Sequence, residues 1–130
     1  MKFREFTTSS EKKILAGKDA EQNEELVKQF IGKDNILFHT ARPGSPFCVI
    51  EKIKHSKKDE KEAAIFCASK SQAWRDNKGD IEVNFFSGED VYKDKDMKAG
   101  TFGVKRFRTM IITKKEIEKF LRQISKTIKS

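Results

Sequence analysis

Only two cysteines, Cys48 and Cys67, occur in the 130 residues, and neither has a second Cys or a His at metal-ligand spacing. A zinc site is therefore not expected. Both thiols lie in apolar runs (Phe47-Cys48-Val49-Ile50 and Ile65-Phe66-Cys67-Ala68), which predicts buried, free thiols in a reducing compartment. No apolar run approaches the length of a bilayer span, and the opening MKFREFTTSS lacks the apolar stretch of a secretory leader, so no membrane partner is expected and a cytoplasmic location is. Nucleophile elbow, P-loop, HExxH and CxxC patterns are also missing. Burial in apolar runs raises a thiol pKa, so a Cys–His nucleophile built from His39 is disfavoured. A non-enzyme without cofactor or metal is the expectation. There is no internal repeat and no low-complexity tract.

What the chain has in quantity is charge, 37% of residues, beside 36% hydrophobic residues that suffice for one core. One domain over residues 1–130 is predicted. The formal net charge is +8, a balance that favours polyanionic partners. Residues 104–130 carry nine Lys/Arg against two Asp/Glu, whereas the preceding residues are nearly balanced. The excess is therefore a C-terminal property.

Alternation predicts strands over Lys2–Thr7 and Lys13–Gly17 around a Thr8-Ser9-Ser10 turn. Asp19 with Gln22 resembles a capping box, and Leu26, Val27, Phe30 and Ile31 recur at helical spacing until Gly32. Asn35–Thr40 and Phe47–Ile53 read as strands flanking the turn-rich loop from Ala41 to Pro46. His55–Lys61 reads as a solvated charge run, overlapping a helix predicted over Asp59–Asp76. Ile81–Phe86 is a half-buried strand, Lys93–Gly100 a charged loop, and Thr101–Thr113 a strand or bent strand pair. Thr113 and Glu116 cap a final helix with Ile117, Phe120, Leu121, Ile124 and Ile128 on one face, and Lys115, Lys119, Arg122, Lys126 and Lys129 on the other. The fold class is α+β: a mostly antiparallel mixed sheet of about five to seven strands with three helices, the last basic and amphipathic.

Two constellations suit a polyanion. The C-terminal block Lys105, Arg106, Arg108, Lys114, Lys115, Lys119, Arg122, Lys126 and Lys129 offers phosphate contacts whose affinity would fall steeply with salt. Phe102, Phe107, Trp74 and Tyr92 are candidates for base stacking, or for core packing. His39 ends an apolar strand just before Arg42-Pro43-Gly44-Ser45, where His39, Arg42, Ser45 and the loop amides would form an anion nest.

The residues also resemble a known family. Ser9-Ser10 followed by Ile14-Leu15-Ala16-Gly17-Lys18-Asp19 and Asn23-Glu24-Glu25-Leu26 looks like the opening of the NFACT RNA-binding domain. Asp34-Asn35-Ile36-Leu37-Phe38-His39 and then Pro43-Gly44-Ser45 resembles its Asp-x-aromatic-x-His and Pro-Gly-Ser elements. Glu62-Ala63-Ala64 through Ser69 and Ser71 looks like its second helix, and Val83 through Val91, Lys93, Lys98, Gly100 and Phe102 like its later Lys-x-Gly segment. The likeness runs over about residues 7–113, with 114–130 left as a basic C-terminal helix; Pro46 departs from the pattern, standing where many members have a second His.

The resemblance implies a non-catalytic RNA-binding module in a translation or ribosome quality-control context, with tRNA or rRNA as partner and the large ribosomal subunit as its setting. It implies contacts by Lys18, Asn23, His39, Ser45, Lys93 and Lys98, and a structural loop role for Gly17, Pro43, Gly44 and Gly100. Charge and position add Arg42, Lys105, Arg106, Arg108, Lys119 and Arg122. A protein-interaction adaptor docking through the last helix, and a DNA-binding domain, stand as alternatives.

Overall fold

The computed structural model describes residues 2–129, with side chains described through Ser125. Strand β1 (Arg4–Thr7) and strand β2 (Lys13–Ala16) form a hairpin, and helix α1 (Ala20–Lys28) follows. Strands β3 (Ile36–Thr40), β4 (Cys48–Ile50), β5 (Ile81–Ser87) and β8 (Arg108–Ile112) complete a sheet of order β1-β2-β4-β3-β5-β8, antiparallel at every pairing. Between β5 and β8 the chain makes a separate antiparallel ribbon of β6 (Val91–Tyr92) and β7 (Gly103–Val104). Helices α2 (Lys57–Ser69) and α3 (Gln72–Asp76) connect β4 to β5, and α4 (Lys114–Lys129) ends the chain. This is the α+β architecture that the sequence pattern predicts, with four helices where three are read.

The extra helix and several boundaries have local causes. Ser71 sits within the predicted helix, but its hydroxyl accepts from the Trp74 amide at 3.2 Å, so it caps a new helix and splits the segment into α2 and α3. The run expected as solvated, His55–Lys61, contains the start of α2. Ser56 and Asp59 form a reciprocal capping box there, and Asp59 is buried rather than exposed. Helix α1 stops at Lys28, short of the predicted Gly32, which turns the chain at φ +83°. The Thr101–Thr113 segment divides between two sheets as β7 and β8.

Alternation along the strands builds two cores, one on each face of the sheet. Ile14, Ala16, Phe38, Cys48, Ile50, Val83 and Ile112 pack against α2 and α4 through Ala63, Ala64, Phe66, Cys67, Ile117 and Phe120. Phe6 ties the edge hairpin to both helices, stacked on Phe66 at 5.2 Å and edge-on to Phe120 at 5.1 Å. Leu37, Phe47, Val49 and Phe86 face the other way, against Leu26, Val27 and Val91. The apolar stripe of α4 is thus used inside the protein, with Leu121 and Ile124 packed at its margin. Among the described residues that helix keeps no unpacked apolar face for a partner, which removes the main support for the adaptor reading. The side chains of Lys126, Ile128 and Lys129 lie outside the described residues.

Candidate nucleic-acid interface

At the end of the sheet where β3 runs into β4, a groove of about 800 Å³ opens between the His39–Phe47 segment, the start of α1, and the 99–102 loop. The Pro43-Gly44-Ser45 turn forms one rim. Gly44 takes φ +87°, its carbonyl accepts from the Gln72 amide at 2.9 Å, and an added Cβ would lie 2.8 Å from Gln72 Cβ, so this turn is fitted against α3. The Ser45 hydroxyl closes the turn, accepting from the Thr40 amide at 3.1 Å and donating to the Pro46 carbonyl at 2.8 Å.

The opposite rim is held by Gly17 and Asn23. Gly17 donates its amide to the Phe47 carbonyl at 3.2 Å, while Asn23 Oδ1 accepts from the Phe47 amide at 3.1 Å. A Cβ on Gly17 would sit 2.8 Å from the Asn23 backbone nitrogen and closer still to its Oδ1. Glycine is required here for close approach.

The third rim is held by Lys93, whose ammonium donates to Glu24 Oε1 at 2.9 Å and to the carbonyls of Lys98 and Thr101 at 2.7 Å each, while lying 4.6 Å from the Phe102 ring centre. Gly100, at φ +79°, donates its amide to the same carboxylate at 2.8 Å. The Lys93 hydrogen bond, then that of Gly100, holds the Glu24 carboxyl down to about 2.

Aromatic rings make the floor. His39 lies against Phe47 at 4.4 Å, and Phe47 meets Phe102 edge-on at 5.6 Å. Phe86 and Phe107 also line the groove, and Phe107 is 55% exposed. His39 Nδ1 is 2.7 Å from the Thr40 carbonyl, which can only accept, so that nitrogen carries the proton. Burial pushes the His39 pKa down, against the opposing pull of that hydrogen bond.

Four cations line the walls: Arg4, Lys18, Lys70 and Arg75, against one carboxylate, Asp19, whose oxygen is engaged in capping α1 at 2.8 Å from the Gln22 amide. Arg4 donates to the Gly17 carbonyl at 3.3 Å and Arg75 to the Lys70 carbonyl at 3.1 Å, so both guanidiniums are positioned by backbone. Lys18 and Lys70 have no carboxylate partner among the described residues. The groove therefore carries positive charge over aromatic surface, an arrangement suited to phosphates and bases together.

Of the residues singled out from sequence, Gly17, Lys18, Asn23, His39, Pro43, Gly44, Ser45, Gly100, Phe102 and Phe107 line this groove, whereas Trp74 and Tyr92 do not. The anion nest expected around His39, Arg42 and Ser45 is not assembled: Arg42 lines a separate hollow beside Asn77 and Glu82, and the Ser45 hydroxyl is buried in its own turn. Lys93 is engaged internally, and Lys98 is exposed outside the lining. Arg106 is paired with Asp90 at 3.2 Å, Arg108 lies over Phe85 at 4.8 Å, and Lys105 is exposed. Lys119 and Arg122 are exposed on α4, on the α2 side of the sheet, and neither lines the groove. Arg4, Lys70, Arg75 and Asn84 were not legible as site residues, because each comes from a different element and carries no local motif. Cys48 and Cys67 are buried, and burial raises the Cys48 thiol pKa well above its ordinary value. Among the described residues no group of three or more His, Cys, Asp or Glu could hold a metal, and no helix is long and apolar enough to cross a membrane.

Residues 2–106 match the family model described as the NFACT protein RNA binding domain, a span that contains every residue lining the groove except Phe107 and stops before β8 and α4. Over 99 residues the chain is 35% identical to the archaeal Rqc2 homolog aRqcH of Methanocaldococcus jannaschii, covering 71% of this chain and 15% of that protein. The C-terminal part of the fibronectin/fibrinogen-binding protein from Streptococcus suis shares the fold, with a TM-score of 0.76 and 22% identity over 92% of this chain and 49% of that one. Both relatives extend well beyond the span they have in common with this chain.

Proposed function

The chain belongs to the family of the NFACT protein RNA binding domain, and from that premise we propose that its groove binds structured RNA of the translation machinery, tRNA or rRNA, without acting on it chemically. The observation that carries this reading is the pairing of an aromatic floor (His39, Phe47, Phe102, Phe107) with Arg4, Lys18, Lys70 and Arg75 on the walls of one groove. Phosphates meet the cations and release counterions, while unpaired bases find rings to stack on. The similarity to an Rqc2-type protein supports a ribosome quality-control setting, with the large ribosomal subunit as the larger partner. The chain spans 15% of that relative, so anything the rest of that protein does needs parts beyond the matched span. A binding role without catalysis is supported by the chemistry of the groove, where both thiols are buried and neither lines it, and His39 has one nitrogen tied to backbone.

Filter binding to tRNA over a salt series tests the reading. Affinity should fall linearly on a logarithmic plot, and the double variant Lys18→Ala/Lys70→Ala should reduce the slope by about two phosphate contacts. The double variant Lys119→Ala/Arg122→Ala should retain most of the affinity. Undetectable or salt-insensitive binding at low ionic strength refutes RNA binding, and loss confined to the Lys119/Arg122 variant refutes the groove.

A further inference from the structure

Resting on the RNA-binding reading of this groove, we infer that His39 and Asn84 together form a subsite for the edge of an unpaired nucleobase, not for a phosphate. The two residues are cross-strand partners in the β3–β5 register, lie on the same face of the sheet, and both line the groove. Each has one polar atom already committed, and the commitment decides what the other atom offers. His39 Nδ1 donates to the Thr40 carbonyl at 2.7 Å, so in the neutral ring Nε2 presents a lone pair. Asn84 Oδ1 accepts from the Thr109 hydroxyl at 2.9 Å, which leaves the amide nitrogen as a donor. Paired residues on one sheet face thus offer the groove one acceptor and one donor.

A phosphate diester has no proton to give, and its oxygen would meet the Nε2 lone pair. A nucleobase edge carries a donor next to an acceptor, and so matches the pair. The rings beside it strengthen the choice, because Phe47 lies 4.4 Å from His39 and the exposed Phe107 lines the same groove. Arg4, Lys18, Lys70 and Arg75 are then left to hold the flanking phosphates.

The test compares three probes on the whole chain: short oligoadenylate, the matching deoxy strand, and the same ribose-phosphate chain without bases, each titrated by fluorescence anisotropy. Removing the bases should weaken binding by at least about 5-fold, the lower end of what base stacking supplies, while the deoxy strand should bind nearly as well as the RNA. His39→Phe, which keeps a ring against Phe47 but has no acceptor, should weaken oligoadenylate and leave the abasic chain unchanged. Asn84→Ala should do the same from a position outside the core. If the abasic chain binds as tightly as oligoadenylate, the groove holds phosphate alone and the inference falls. Equal binding of the abasic chain with a weak deoxy strand would assign the pair to a ribose 2′-hydroxyl instead, and would also overturn it. Tight tRNA binding that neither variant alters sinks the base subsite only, whereas absence of binding to tRNA and to every probe sinks the RNA reading as well.

Discussion

Replacing Lys93 by Met asks whether this ammonium holds the 93–101 loop or waits for a phosphate. In the structure its three donors meet Glu24 at 2.9 Å and two carbonyls at 2.7 Å, with the ammonium 4.6 Å from the Phe102 ring centre, and Met keeps an unbranched side chain at this position without the charge. Folding lowers the Glu24 pKa from 4.5 to about 2, through Lys93 first and the Gly100 amide second. A carboxyl depressed by folding contributes stability that is complete above about pH 4.5 and is lost as the pH falls from there towards 2. The whole shift corresponds to roughly 3 kcal/mol. With side chains 18% and 16% exposed, the Lys93–Glu24 pair is partly screened by water, and Lys93's share comes to about 1–2 kcal/mol. Urea unfolding near neutral pH should show the variant less stable by that amount. At about pH 3 the gap should narrow, because wild type is then losing the contribution that the variant already lacks. Unchanged stability together with a reduced salt dependence of RNA binding would show that Lys93 contacts phosphate and that the internal geometry is wrong. A gap that stays constant with pH would separate Lys93 from Glu24.

Three further outcomes follow from the same geometry. Gly17→Ala should cost at least about 2 kcal/mol in urea unfolding, since the new methyl group displaces the Asn23 side chain from the Phe47 amide; adding Asn23→Ala should cost much less in that background than in wild type. Burial alone would raise the pKa of Asp59, but hydrogen bonds from Ser10, Ser56 and Thr8 overcome it and hold the carboxyl well below its usual range. Asp59→Ala should therefore destabilise by about 2–3 kcal/mol near neutral pH, read as a lowered Tm, and a Tm within a degree or so of wild type would contradict the capping role. Cys48 and Cys67 should react with a disulfide reagent only as fast as the protein opens, so rapid labelling of the native chain would disprove their burial.

Much of this molecule was legible one segment at a time. Apolar and β-branched enrichment beside the Pro/Gly loop located β3, alternation located β5, the Asp19 cap located α1, and Thr113 with Glu116 located α4, because each signal acts over a few residues and needs no distant partner. Ser71 shows the limit of that reading. Its surroundings continue the helical stripe of α2, and only the hydroxyl's choice of the Trp74 amide breaks the helix there. The chemistry that a residue type can offer was equally readable, but its availability was not: Lys93 and Arg42 look alike as cations in polar loops, yet one is tied to a carboxylate 69 residues away and the other faces a different hollow.

By itself, then, the sequence determined the α+β class, the caps at Asp19 and Thr113, and a turn from His39 to Ser45 built around glycine and proline. Tertiary structure decided which cations share a groove. It carried Lys119 and Arg122 to the α2 side of the sheet and gathered Arg4, Lys70 and Arg75 from separate elements to stand around His39 and Asn84. The reason is physical. Periodicity and capping are local free energies written into neighbouring residues, whereas a binding groove depends on which distant segments pack together and on which polar atoms that packing leaves uncommitted.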